Sequence, residues 1–221
     1  MEDLASSLER VRERIANAAA RSRRNPAEIV LLAVTKVFPA SVICEAHALG
    51  LREFGENYVQ EFESKLSTVG GLAGARFHLI GHLQSNKANR VSEIFGVIQT
   101  VDSEKLARRL NEAGRKLEVM IEVKLSAEET KYGVEPGAAP ALVSAIRGCS
   151  NLELTGLMTI PEWSDDPEKS RASFAALRKL GSELSLPKLS MGMSHDLEVA
   201  IEEGSTMVRV GTALFGKRRR A

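Results

Sequence analysis

Cysteine is scarce in this chain: 221 residues carry only Cys44 and Cys149. Two thiols so far apart argue against a disulfide framework, and Cys44 reads as a small apolar residue on a helix. The opening Met1-Glu2-Asp3-Leu4 is acidic with no apolar stretch behind it, so no secretory leader is expected and the cytoplasm is the expected compartment. Long hydrophobic runs are missing as well, and a membrane span takes about 20 apolar residues. Nor does one charge dominate: Lys+Arg 30 against Asp+Glu 29 leaves a net charge of +1. Proteins that coat polyanions carry a large basic excess, so nucleic acid is not an expected partner. The basic run Lys217-Arg218-Arg219-Arg220 reads as a solvated end. No Gly/Ser or Pro tract of linker length divides the chain, and 1–221 is expected to be a single domain.

What is there is alternation. Hydrophobic residues at 43% and charged ones at 27% suit a soluble globular domain. Leu4, Leu8, Val11, Ile15 and Ala18 fall at helical spacing, which predicts an amphipathic helix over 4–23 that Asn25-Pro26 ends. The apolar run 29–34 has strand length, and such runs suit strands buried on both faces. From there strands are predicted at 53–56, 77–81, 97–101, 118–123, 152–160, 189–191 and 207–210. The segments between are mostly helical: 40–49, 57–67, 86–94, 103–116, 136–147, 167–184 and 195–203. Strands alternating with helices imply right-handed crossovers and a parallel sheet, and eight such units can close into a (β/α)8 barrel preceded by an extra helix. An open doubly wound sheet is the competing architecture, but the Gly-x-Gly-x-x-Gly turn it often carries is absent after the first strand.

In such a barrel, functional groups collect at the C-terminal ends of the strands. The first strand delivers Lys36 there. A desolvated amine is the nucleophile for Schiff-base formation with a carbonyl, while the competing reading is a strand-end lysine that snorkels to solvent. Asn57 ends the second strand and is equally suited to capping the next helix. His82 follows the third strand, Met158 ends the sixth, and Ser194 follows the seventh. After the eighth comes Arg209-Val210-Gly211-Thr212, where a glycine lets backbone N–H groups approach an anion. Loops after strands seven and eight bind phosphate in many barrels, although these glycines would also serve tight turns. A lysine beside a phosphate site suggests a phosphorylated aldehyde. Pyridoxal 5′-phosphate meets both requirements, and so do the substrates of sugar-phosphate Schiff-base aldolases. His78 and His82 share strand parity, but no further ligands with zinc spacing accompany them. No metal site is expected, with His82 assigned to the barrel mouth and His78 to the core or rim.

Six ordered motifs then carry a resemblance over nearly the whole chain. They are Ala33-Val34-Thr35-Lys36, Phe54-Gly55-Glu56-Asn57-Tyr58-Val59-Gln60-Glu61, His78-Leu79-Ile80-Gly81-His82-Leu83-Gln84-Ser85-Asn86-Lys87, Leu157-Met158-Thr159-Ile160-Pro161, Ser190-Met191-Gly192-Met193-Ser194 and Val208-Arg209-Val210-Gly211-Thr212-Ala213-Leu214-Phe215-Gly216. Together they resemble the pyridoxal phosphate homeostasis proteins. The resemblance implies a barrel of the alanine racemase N-terminal type, with Lys36 forming the Schiff base to the cofactor. It further implies Arg209 at the pyridine nitrogen, Ser194, Gly211 and Thr212 on the phosphate, and Asn57 in the pocket.

Arginine donates hydrogen bonds and accepts none, so a ring nitrogen facing Arg209 stays unprotonated and the ring is a weak electron sink. Racemisation also needs a second acid/base on the opposite face, which alanine racemases take from a further C-terminal domain. The expected function is therefore a non-catalytic, monomeric carrier that stores pyridoxal 5′-phosphate and delivers it to cofactor-dependent apoenzymes. A racemase with an unidentified second acid/base is the alternative.

Overall fold

The computed structural model describes residues 3–126, 128 and 132–216. Within them the apolar runs form β1 (Val30–Val34), β2 (Glu53–Glu56), β3 (Arg76–Leu79), β4 (Val97–Val101), β5 (Leu117–Glu122), β6 (Leu152–Met158), β7 (Lys188–Met193) and β8 (Met207–Val210). All pair in parallel with their sequence neighbours, and β8 pairs with β1, so the sheet is a closed barrel in chain order. Between and around the strands lie α1 (Leu4–Arg21), α2 (Ala40–Ala48), α3 (Val59–Val69), α4 (Ala88–Ile94), α5 (Glu104–Glu112), α6 (Ala139–Arg147), α7 (Arg171–Glu183), α8 (Leu197–Glu202) and α9 (Thr212–Phe215). This is the (β/α)8 architecture with the extra N-terminal helix that the alternation predicts.

Strand parity divides the buried residues into two sets. Ala33, Phe54, Leu79, Ile98, Ile121, Leu157, Met191 and Val208 face the helices and belong to the main apolar cluster. Leu32, Val34 and Ile80 form a separate small cluster in the lumen. Much of the remaining lumen is polar. Ser190 on β7 donates to Gln99 on β4 at 2.6 Å, and these strands are not neighbours, so that bond crosses the barrel interior.

The boundaries differ from expectation where backbone geometry overrides hydrophobic pattern. β3 stops at Leu79, whose partner Glu56 is the last residue of β2, and Gly81 beyond it lies so close to the chain after β2 that a Cβ would be 2.2 Å from the Asn57 carbonyl oxygen. α5 stops at Glu112, before Gly114 with φ +75°. Single 3-10 turns, Ser85–Lys87, Pro136–Ala138 and Pro167–Ser170, open three of the helical segments. Proline accounts for two of them, since it supplies no N–H and sets φ for a first turn. α9 was not expected, because its four residues are too few for periodicity to register.

Candidate functional site

The C-terminal end of the barrel opens into a cleft. Lys36 lines it, two residues past the end of β1 and on the same strand parity as Leu32 and Val34, which turns its side chain toward the lumen. Asn57, Arg209, Gly211 and Thr212 line the same cleft. Apolar walls come from Val34, Phe38, Ile80, Ile160 and Met193. The Phe38 ring meets Phe215 of α9 with centroids 5.3 Å apart, which ties the loop after β1 to the loop after β8.

Arg209 is buried, and its guanidinium is held at three points. Nη1 donates to the Ser190 carbonyl at 2.6 Å and to Ser190 Oγ at 2.9 Å, and Nη2 donates to the Thr159 carbonyl at 2.8 Å. Burial pulls its pKa down to about 10, against the opposing pull of Asp196 and Glu122, so it stays charged at neutral pH. Behind it, the Ser190 hydroxyl donates to Gln99 Oε1, and Gln99 Nε2 lies 2.8 Å from His78 Nδ1. His78 Nε2 in turn meets a Glu53 carboxylate oxygen at 2.5 Å. With Gln99 donating, His78 accepts at Nδ1 and carries its proton on Nε2. Both ring nitrogens of His78 are thus engaged in the core.

The loops after β7 and β8 are shaped together. Gly192 has φ +91°, a conformation that favours glycine. Asp196 accepts from the Met193 N–H at 2.7 Å and from Ser170 Oγ at 3.0 Å. Ser194 Oγ accepts the N–H of Ala213 at 3.2 Å, joining the two loops. Gly211 and Thr212 stand at the start of α9, where the first N–H groups of a helix have no acceptor within it, and both residues line the cleft.

Of the residues singled out in the sequence, Lys36, Asn57, Arg209, Gly211 and Thr212 share the cleft, and Ser194 adjoins it through Ala213. Met158 is fully buried below, and Ile160, two positions on and of the same parity, is the lining residue. His82 does not line the cleft. Its ring stacks on Tyr132 with centroids 3.6 Å apart, and its Nδ1 lies 3.8 Å from Asp102. Sequence reasoning did not find Gln99, Ser190 and Thr159 as the support of Arg209. Strand parity was the available signal for Gln99 and Ser190, but it cannot tell which strands face each other across a lumen.

The model of the alanine racemase N-terminal domain family matches residues 6–219. The pyridoxal phosphate homeostasis protein of Pseudomonas aeruginosa is 46% identical, over 99% of this chain and 97% of that protein. The structure of PipY from Synechococcus elongatus PCC7942 with PLP bound superposes with a TM-score of 0.83 at 37% identity, covering 97% of this chain and all of that one. Alanine racemase from Corynebacterium glutamicum shares the fold at a TM-score of 0.69 and 19% identity, covering 94% of this chain and 61% of the racemase.

Proposed function

The chain belongs to the pyridoxal phosphate homeostasis branch of the alanine racemase N-terminal domain family, and on that premise we propose that it binds pyridoxal 5′-phosphate as a carrier rather than as a catalyst. One observation carries the reading: Lys36 and the buried Arg209 line a single cleft. The cleft fits the cofactor. Apolar side chains from Val34, Ile80, Ile160 and Met193 suit the faces of an aromatic ring, and the buried Asn57 Oδ1 has no hydrogen-bond partner within the protein.

When bound, the cofactor supplies an aldehyde to which a neutral amine adds, exchanging C=O for C=N with release of one water. Lys36 supplies that amine. Arg209 would donate to the ring nitrogen and could not accept from it, which would keep the nitrogen unprotonated and the ring a weak electron sink. Gly211 and Thr212 would offer backbone donors to the phosphate, Ser194 would support them through its hydroxyl, and Asn57 would help to hold the ring. Met158 is buried and His82 stacks on Tyr132, and neither lines the cleft. We read 1–221 as one domain, acting as a cytoplasmic monomer that hands the cofactor to apoenzymes. No described helix is long and apolar enough to cross a membrane.

Borohydride reduction of the protein loaded with pyridoxal 5′-phosphate, followed by peptide mapping, tests the binding half. The adduct is expected on Lys36; an adduct on Lys124 instead, or none, would overturn the assignment. Incubation with single L-amino acids in deuterated water tests the carrier half. Enantiomer ratios should stay unchanged, and fast saturable turnover of one amino acid would restore the racemase reading.

A further inference from the structure

Lys65 is a buried lysine outside the cleft. It lies on α3, with its side chain 5% exposed, and its ammonium has three hydrogens and three acceptors. Nζ donates to the Thr35 carbonyl at 3.0 Å, to Glu56 Oε1 at 2.8 Å and to Glu61 Oε1 at 2.7 Å. The Thr35 hydroxyl donates to the same Glu56 oxygen at 2.7 Å, and the Val37 N–H donates to the same Glu61 oxygen at 2.5 Å.

These contacts converge on Lys36 without touching its side chain. The Thr35 carbonyl belongs to the peptide group before the Lys36 Cα, and the Val37 N–H belongs to the peptide group after it. Lys36 has only two soft backbone dihedrals, each turning one of those planes. Holding both planes from one cluster therefore sets both dihedrals and the direction in which the Lys36 Cβ leaves the chain.

The chain also adopts an unfavourable conformation here. Val37 has φ +62°, uncommon for any residue but glycine and a steric outlier for a β-branched one. Such geometry persists where its surroundings over-determine it, and the Glu61 carboxylate on the Val37 N–H does so. The cluster is itself costly. Burying an ammonium among carboxylates carries a desolvation penalty, and Glu56 Oε2 is buried with no hydrogen-bond partner. An apolar contact between α3 and β1 would close the same gap without it.

We propose that Lys65, acting through Glu56 and Glu61, is a positioning residue that fixes the backbone of Lys36 so that its amine points into the cleft. The proposal rests on the cofactor reading above. It implies that Lys65 governs capture of the aldehyde and leaves recognition of ring and phosphate alone.

The test compares two ligands on the full-length protein. Pyridoxal 5′-phosphate has the aldehyde; pyridoxamine 5′-phosphate keeps the ring and phosphate without it. In Lys65→Met, affinity for the aldehyde should fall by about tenfold, the effect of losing a charge-assisted contact, while affinity for the amine changes by less than about twofold. Visible absorbance per bound cofactor should drop in parallel. Glu61→Ala, at a half-buried position, should shift the same ratio in the same direction, and it decides the matter if Lys65→Met does not fold. Equal losses for both ligands, or no loss for either, would overturn the positioning role. Wild-type protein that binds neither ligand would instead overturn the cofactor reading.

Discussion

At the scale of single residues, the polar lumen is the unusual feature, because barrel interiors are dominated by branched apolar side chains. Glu53, His78, Gln99, Ser190 and Arg209 form one chain of hydrogen bonds whose donor directions are mutually set. Gln99 is its centre: the amide nitrogen faces His78, the amide oxygen takes the Ser190 hydrogen, and Ser190 Oγ is thereby left to accept from Arg209. Gln99→Leu strands a buried imidazole nitrogen and a buried hydroxyl. We expect a loss of about 1–3 kcal/mol, the usual cost of orphaning buried polar groups, measured as a lower urea midpoint with unchanged slope. Bound cofactor should also absorb at a shifted wavelength, since Arg209 loses its hydroxyl partner's orientation. An unchanged midpoint would mean that water enters and replaces the amide.

At the scale of elements, α1 is more than a cover for the barrel. Leu4, Leu8, Val11, Ile15 and Ala18 are buried at the spacing visible in the sequence, and Asp3 caps the helix by accepting the Ser6 N–H at 2.7 Å. Its polar face reaches the loop after β7. Arg14 pairs with both oxygens of Glu198 on α8, at 2.6 and 2.8 Å, and donates to the Ser194 carbonyl at 2.9 Å. That carbonyl belongs to the residue whose hydroxyl holds Ala213 of α9. Arg14→Ala should therefore weaken binding of pyridoxal 5′-phosphate about fivefold, as expected for a half-exposed pair worth about 1 kcal/mol. Binding of pyridoxal, which lacks the phosphate, should be unaffected. Titration of both ligands checks this, and a parallel loss of both would refute the link from α1 to the phosphate loops.

At the scale of the whole molecule, the two rims of the barrel divide the work. The C-terminal rim holds the cleft, and the N-terminal rim holds a charge cluster that ties β3, β5, β6 and β7 together. There Glu118 accepts from Arg76 at 2.7 Å, Lys188 at 2.8 Å and Thr155 at 2.9 Å. Burial alone would raise its pKa, but the hydrogen bonds from Lys188, Arg76 and Thr155 pull it down to about 2. A carboxylate with a depressed folded-state pKa contributes stability that is complete above its unfolded value, near 4.5, and is lost as pH falls toward 2. Glu118→Gln should lower stability at neutral pH and flatten its decline between about pH 4.5 and 2. Urea midpoints of both proteins across that interval check the prediction, and parallel curves would contradict it.

The sequence by itself determined the order and kind of nearly every element, because strand-length apolar runs and helical spacing are local signals. It also singled out Lys36, Asn57, Arg209, Gly211 and Thr212, since in a barrel the ends of strands are legible once the strands are. Tertiary structure alone decided what stands behind them. Ser190 meets Gln99 across the lumen from a distance of ninety-one residues, and Lys65 reaches back from α3 to the peptide groups on either side of Lys36. It also decided that Ile160 rather than Met158 lines the cleft and that His82 stacks on Tyr132. The physical reason is common to these cases. Periodicity tells which face a residue occupies, but closure, stagger and twist of the sheet decide which residues meet across the barrel, and no local pattern encodes that meeting.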